Sequence, residues 1–173
     1  MFHKILVAMD ISEVGKRVFD EAIDLASSNE ASLMLVHVLS PEEEGYPEIS
    51  NLYRYYFSIS DNDNLNNFQE LWKQFSQKGL ECLRSRSEIA TAAGVHTEYK
   101  QIPGSPGKTI CETACTWNAD LVVIGRRGLS GLREIMGSVS NYVLHNAPCS
   151  VLVVQHQASV SPESQENQLE LVS

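Results

Sequence analysis

The chain has 173 residues, 43% hydrophobic and 20% charged, the make-up of one globular domain with room for a sizeable core. Its net charge of −9 disfavours non-specific nucleic-acid binding and docking on an anionic membrane, both of which rely on basic surface. No apolar run reaches the length of a membrane span, and MFHKILVAMD runs straight into a strand pattern with no room for a signal peptide, so a cytoplasmic location is expected.

Lys4 to Met9 is a continuous apolar run, as expected for a strand covered on both faces. It ends at Asp10. An acid just past the C-terminal end of a strand is well placed for a ligand, because open α/β sheets bind there. The other reading is that Asp10, or Ser12 beside it, caps the next helix. Val14 to Ser28 has the apolar spacing of an amphipathic helix, with Val14, Val18, Ala22, Leu25 and Ala26 on its core side. Asn29-Glu30-Ala31 turns the chain into a second apolar strand, Ser32 to Leu39. His37 within it reads as a satisfied core histidine rather than a ligand.

Residues 40–63 form a long connection. It has an acidic start broken by Pro and Gly, then an aromatic group of Tyr53, Tyr55, Tyr56 and Phe57, and an acidic end. Connections of this length in a compact domain are functional or mobile. The aromatics suit either a ligand mouth or partner contact, or a surface flap with its own small cluster. Leu65 to Ala93 reads as a long helix, with Phe68, Leu71, Trp72, Phe75, Leu80, Leu83, Ile89 and Ala93 at helical spacing, a break or kink at Gly79 and a C-cap at Gly94. Val95 to Ile102 is a more polar strand that suits a sheet edge. Ser105-Pro106 opens a third helix as cap and first residue, with Ile110, Ala114 and Trp117 facing the core.

The stretch 121–154, LVVIGRRGLSGLREIMGSVSNYVLHNAPCSVLVV, carries the chemistry. A strand, Leu121 to Ile124, breaks at Gly125. A loop with Gly125, Gly128, Gly131 and Gly137 leads to a helix opened by Ser138, and Val151 to Val154 form the last strand. Glycines let the backbone approach a phosphate closely, and a helix start offers unpaired N–H groups with partial positive charge. Ser138 and Ser140 add hydroxyl donors. Glycines alone would equally suit an ordinary turn; the Gly-Ser helix start between two buried strands favours a phosphate site. The loop matches neither GxxxxGK[ST] nor GxGxxG. Arg126 and Arg127 either add charge near the phosphates or are solvated loop residues. Cys111 and Cys115, four apart on a helix, read as two buried small side chains. No CxxC pair supports a metal or redox role. The remainder, QHQASVSPESQENQLELVS, is polar and expected to be disordered or loosely docked from 157 to 173.

Strands alternating with helices imply a single, doubly wound, five-stranded parallel sheet in a three-layer α/β sandwich of Rossmann or flavodoxin-like type. Right-handed crossovers give the order 3-2-1-4-5 over residues 1–156. The switch point then lies between the first and fourth strands, which brings Asp10 and Gly125 to one crevice.

With these residues in place, KILVAMDISE, LVHVLS, ADLVVIGRRGLSG and GSVSNYVLHNAPCSVLVV together resemble the universal stress protein family over about residues 2–156. The resemblance implies the class that binds ATP or a related adenine nucleotide (ADP, AMP or cyclic AMP), with Mg²⁺ accompanying the phosphates. That class carries G-x2-G-x9-G-[ST]. Gly125, Gly128 and Gly137-Ser138 match it, but the spacer Leu129–Met136 is one residue short. By resemblance, Asp10 and the backbone around Ala8 and Val38 would hold base and ribose. Ile124, Gly125 and Gly128 would line the ribose–phosphate path, and Gly137, Ser138, Val139 and Ser140 would hold the phosphates. The resemblance also implies a homodimer through Val151, Leu152, Val153 and Val154, which would remove an apolar sheet edge. The expected role is a nucleotide-dependent switch in stress response or signalling. A slow ATP hydrolase is the alternative, although no Walker B acid or evident base is present and Glu134 is the loop's lone acid. A nucleotide-independent interaction module is the other, favoured by the short spacer. A flavin site is weaker, since no aromatic-flanked loop stands at the strand ends.

Overall fold

A computed structural model describes residues 1–41, 43, 46–47, 62–126 and 138–155, without the side chains of 62–67. Five strands form one parallel sheet: β1 (Lys4–Met9), β2 (Ser32–Leu39), β3 (Thr97–Pro103), β4 (Leu121–Arg126) and β5 (Ser150–Gln155). Their order is β3-β2-β1-β4-β5, as the alternating pattern requires. Among the described residues, four helices connect or flank them: α1 (Glu13–Asn29), α2 (Asn62–Ala92), α3 (Pro106–Trp117) and α4 (Ser138–Asn146).

The layers follow from strand alternation, since successive side chains point to opposite faces. Ile5, Val7, Leu33, Leu35, Leu121 and Val123 pack with Val18, Phe19 and Ala22 of α1 and Leu83 and Ala90 of α2. Leu6, Met34, Val36, Val122 and Ile124 pack on the other face with Ile110 and Ala114 of α3 and Val143 of α4. β1, β2 and most of β4 are therefore apolar on both sides and buried nearly throughout. The edge strand β3 is mostly exposed, which accounts for its polar sequence.

Several sequence expectations are revised. Gly125 does not end the fourth strand: β4 continues through it, pairing Gly125 with Val154 and Arg126 with Gln155. Gly79 does not break the second helix, which is unbroken from Asn62 to Ala92. The buried stripe of α2 is Phe75, Gly79, Leu83, Ser87 and Ala90. Leu71, Leu80 and Ile89 face outward instead, because steps of four, four, four and three hold one face of a helix turned to the sheet. Cys115 is exposed while Cys111 is buried, so only one of that pair packs in the core. Burial, and then the Glu112 carboxylate, push the Cys111 thiol up from its ordinary pKa. Gly128, Gly131, Gly137, Arg127, Arg133, Glu134, the aromatics of 53–57 and the tail from 157 lie outside the described residues.

Candidate functional site

The chain leaves β1 towards the α1–α2 face, whereas the next helix after β4, α4, lies on the other face. This divergence opens a crevice at the C-terminal ends of the two central strands. A cavity of about 210 Å³ occupies it. Its walls include Ala8 and Asp10 from β1 and the turn after it, Val38 from β2, Ile124 and Gly125 from β4, and Ser138, Val139 and Ser140 from the start of α4. Every expected site residue within the described part of the chain is therefore drawn to one place. Gly128 and Gly137 lie outside the described residues. Arg126, half-buried at the end of β4, is not among the lining residues.

The turn from β1 into α1 is held by hydrogen bonds and close packing. Ser12 caps α1, its hydroxyl accepting from the Gly15 N–H. Its own N–H and hydroxyl donate to Asp10 Oδ1. Ser12 is thus the cap, and Asp10 braces the cap while lining the cavity. Gly15 is part of the same construction: a Cβ there would lie 2.2 Å from the Asp10 carbonyl oxygen and 2.6 Å from Oδ1. Only glycine lets the first turn of α1 close against the acid.

The cavity lining also includes residues that sequence reasoning missed. His37, 2% exposed, lies between Glu43 and Gln101. Its Nε2–H donates to both Glu43 carboxylate oxygens, at 2.8 and 2.9 Å, and both residues line the cavity. Its Nδ1 accepts from Gln101 Nε2 at 3.0 Å. The expectation of a satisfied core histidine holds for its hydrogen bonding, but His37 also forms cavity wall. In LVHVLSPEEEG the histidine is visible; which of Glu42, Glu43 and Glu44 folds back onto it is not.

Gly79 explains how α2 reaches this network. A Cβ at 79 would lie 2.4 Å from His37 Nδ1 and Cε1 and 2.4 Å from Gln101 Nε2. In an exposed helix interior, Gly→Ala gains about 1 kcal/mol. Here the sign is expected to reverse. Gly79→Ala should lose about 1–3 kcal/mol in urea unfolding, the cost of overpacking, because the ring and the amide are held from both sides. A stabilised variant would show that α2 does not pack this closely.

Comparison with known proteins gives the relationship. The universal stress protein family profile matches residues 1–155. The chain belongs to the universal stress protein family. A universal stress protein of Synechocystis is 38% identical over 159 residues, covering 90% of this chain and 99% of its own. Another, from Bacillus subtilis, is 33% identical over 90% of this chain and all of its own. A solved universal stress protein in complex with cAMP superposes with a TM-score of 0.62 at 25% identity, covering 91% of this chain and 99% of that one. A family member from Arabidopsis thaliana with AMP bound superposes at 0.60 with 20% identity, covering 95% of this chain and 98% of its own. No helix among the described residues is long and apolar enough to cross a membrane.

Proposed function

We propose that the crevice binds an adenine nucleotide (ATP, ADP, AMP or cyclic AMP) and that the protein is a dimeric, nucleotide-dependent switch in stress response. The observation that carries this reading is the meeting of Asp10 with the start of α4 in one cavity. The two ends differ in chemistry. The first amides of α4 have no intrahelical acceptor and present partial positive charge, and Ser138 and Ser140 stand beside them. That end suits the phosphates, with Gly128 and Gly137 assigned to the same path. Asp10 and the walls at Ala8 and Val38 suit ribose and base. The bound AMP and cAMP of the two family structures support the ligand class. With a di- or triphosphate, Mg²⁺ would ride on the phosphate oxygens.

β5 ends the sheet, and Leu152 on it is 37% exposed. Pairing of this edge with its counterpart in a second copy would cover it. Titration of the purified full chain with AMP and ATP by calorimetry is expected to saturate. Asp10→Ala should weaken binding about ten- to a hundredfold, the scale of losing a hydrogen bond to a charged group. Sedimentation of the same samples should give dimers. Absence of heat with AMP, ADP, ATP and cAMP would sink the nucleotide reading, and a monomer at all concentrations would sink the dimer.

A further inference from the structure

The cavity wall at the β2 end holds a carboxylate that the nucleotide reading leaves without a task. Gln101 Nε2 donates one proton to the Ser76 carbonyl, at 2.9 Å, and the other to His37 Nδ1. A ring nitrogen that accepts carries no proton, so the imidazole proton sits on Nε2 and points at Glu43. This single N–H is shared between the two carboxylate oxygens. A carboxylate offers about four lone-pair sites, so Glu43 keeps acceptor capacity in a wall where its side chain is only 9% exposed. Burying a carboxylate is costly unless donors surround it. A ligand that brings an N–H to this wall removes part of that cost, and one that brings an oxygen lone pair adds to it.

The position fits a base. From the α4 amides the cleft runs past β4 and β1 to β2, two inter-strand steps or roughly 10 Å, and Glu43, bonded to His37 of β2, lines the same cavity. A ligand with its phosphate at α4 therefore directs its base towards Glu43. Resting on the nucleotide reading above, we infer that Glu43 is a specificity residue that accepts an N–H from the exocyclic 6-amino group of the purine. His37 is the positioning residue that holds it. An oxo-purine would set its O6 lone pairs against the carboxylate and is rejected.

The test uses the full chain and four monophosphates: AMP, IMP, GMP and purine riboside 5′-monophosphate, which lacks any 6-substituent. Wild type should bind AMP about ten- to a hundredfold more tightly than IMP or the unsubstituted purine, as expected for one hydrogen bond to a charged acceptor. Glu43→Gln keeps the shape and an acceptor for His37 but can turn its amide N–H towards O6. Its preference for AMP over IMP should fall to within about threefold, at an unfolding midpoint near that of wild type. Glu43→Asp, which keeps the charge, should retain the preference for AMP. A Glu43→Gln protein with the wild-type ratio overturns the inference. So does a wild type that binds the unsubstituted purine as tightly as AMP, or that prefers IMP or GMP, whose N–H-bearing edge could pair with a carboxylate in another orientation. A wild type that binds no AMP overturns the nucleotide reading itself, and this inference with it.

Discussion

Gly15→Ala is expected to be among the most damaging single-methyl substitutions in the cleft, lowering stability by about 3 kcal/mol, the upper part of the overpacking range. In a chain of this length that corresponds to a fall of roughly 6–12 °C in melting temperature. The new Cβ would lie 2.2 Å from a backbone oxygen of Asp10 and 3.0 Å from its carbonyl carbon. Neither atom can swing away as the end of a long side chain could. Helix propensity works the other way, since alanine is favoured over glycine by about 1 kcal/mol, but the steric term wins. Relief requires the turn after β1 to open, which moves the Asp10 carboxylate and loosens the Ser12 cap. Nucleotide affinity should therefore fall together with stability. Differential scanning calorimetry of the variant checks the first part, and an unchanged midpoint would mean that the turn is not closed as described.

Gly125→Val is expected to cost about 1–3 kcal/mol in urea unfolding, although valine is among the residues that strands favour. A Cβ at 125 would meet Val14 Cγ1 at 2.6 Å and Val18 Cγ2 at 3.0 Å. The added methyls would push α1 off β4 and displace Val14, which also lines the cavity. Gly125→Ala should fall between the variant and wild type. Neutral behaviour of both would show that this glycine is needed only for a ligand and not for packing.

These two glycines show what the sequence could and could not convey. Gly125 was legible as a special position, and the phosphate loop expected from the sequence gave it an obvious task. The structure gives it a second one: it is a strand residue over which α1 passes, a contact set by partners more than a hundred positions away. Gly79 is the same case in a helix. Sequence spacing marks it as a weak point, but the ring of His37 that fills the space comes from β2. Long-range close approach leaves no local signature. The strands, by contrast, were legible because burial on two faces demands an unbroken apolar run, as in Ile5 to Met9 and Leu33 to Val36. The strand order followed from alternation and crossover handedness, and with it the meeting of Asp10 and the α4 start. Glu43 was hidden for a chemical reason. Three successive glutamates look alike in sequence, and only the fold shows that Glu43 reaches His37.

In the proposed complex an adenine nucleotide lies in this crevice with its phosphate at the start of α4. The most direct measurement is an AMP titration of the isotope-labelled protein followed through backbone amide resonances. Saturable shifts are expected at Ala8, Asp10, Val38, Gly125 and Ser138–Ser140, largest for the α4 amides. Residues on the outer face of α2, such as Leu71, Leu80 and Ile89, should remain unmoved. Saturable shifts confined to another surface, or none at millimolar AMP, would contradict it.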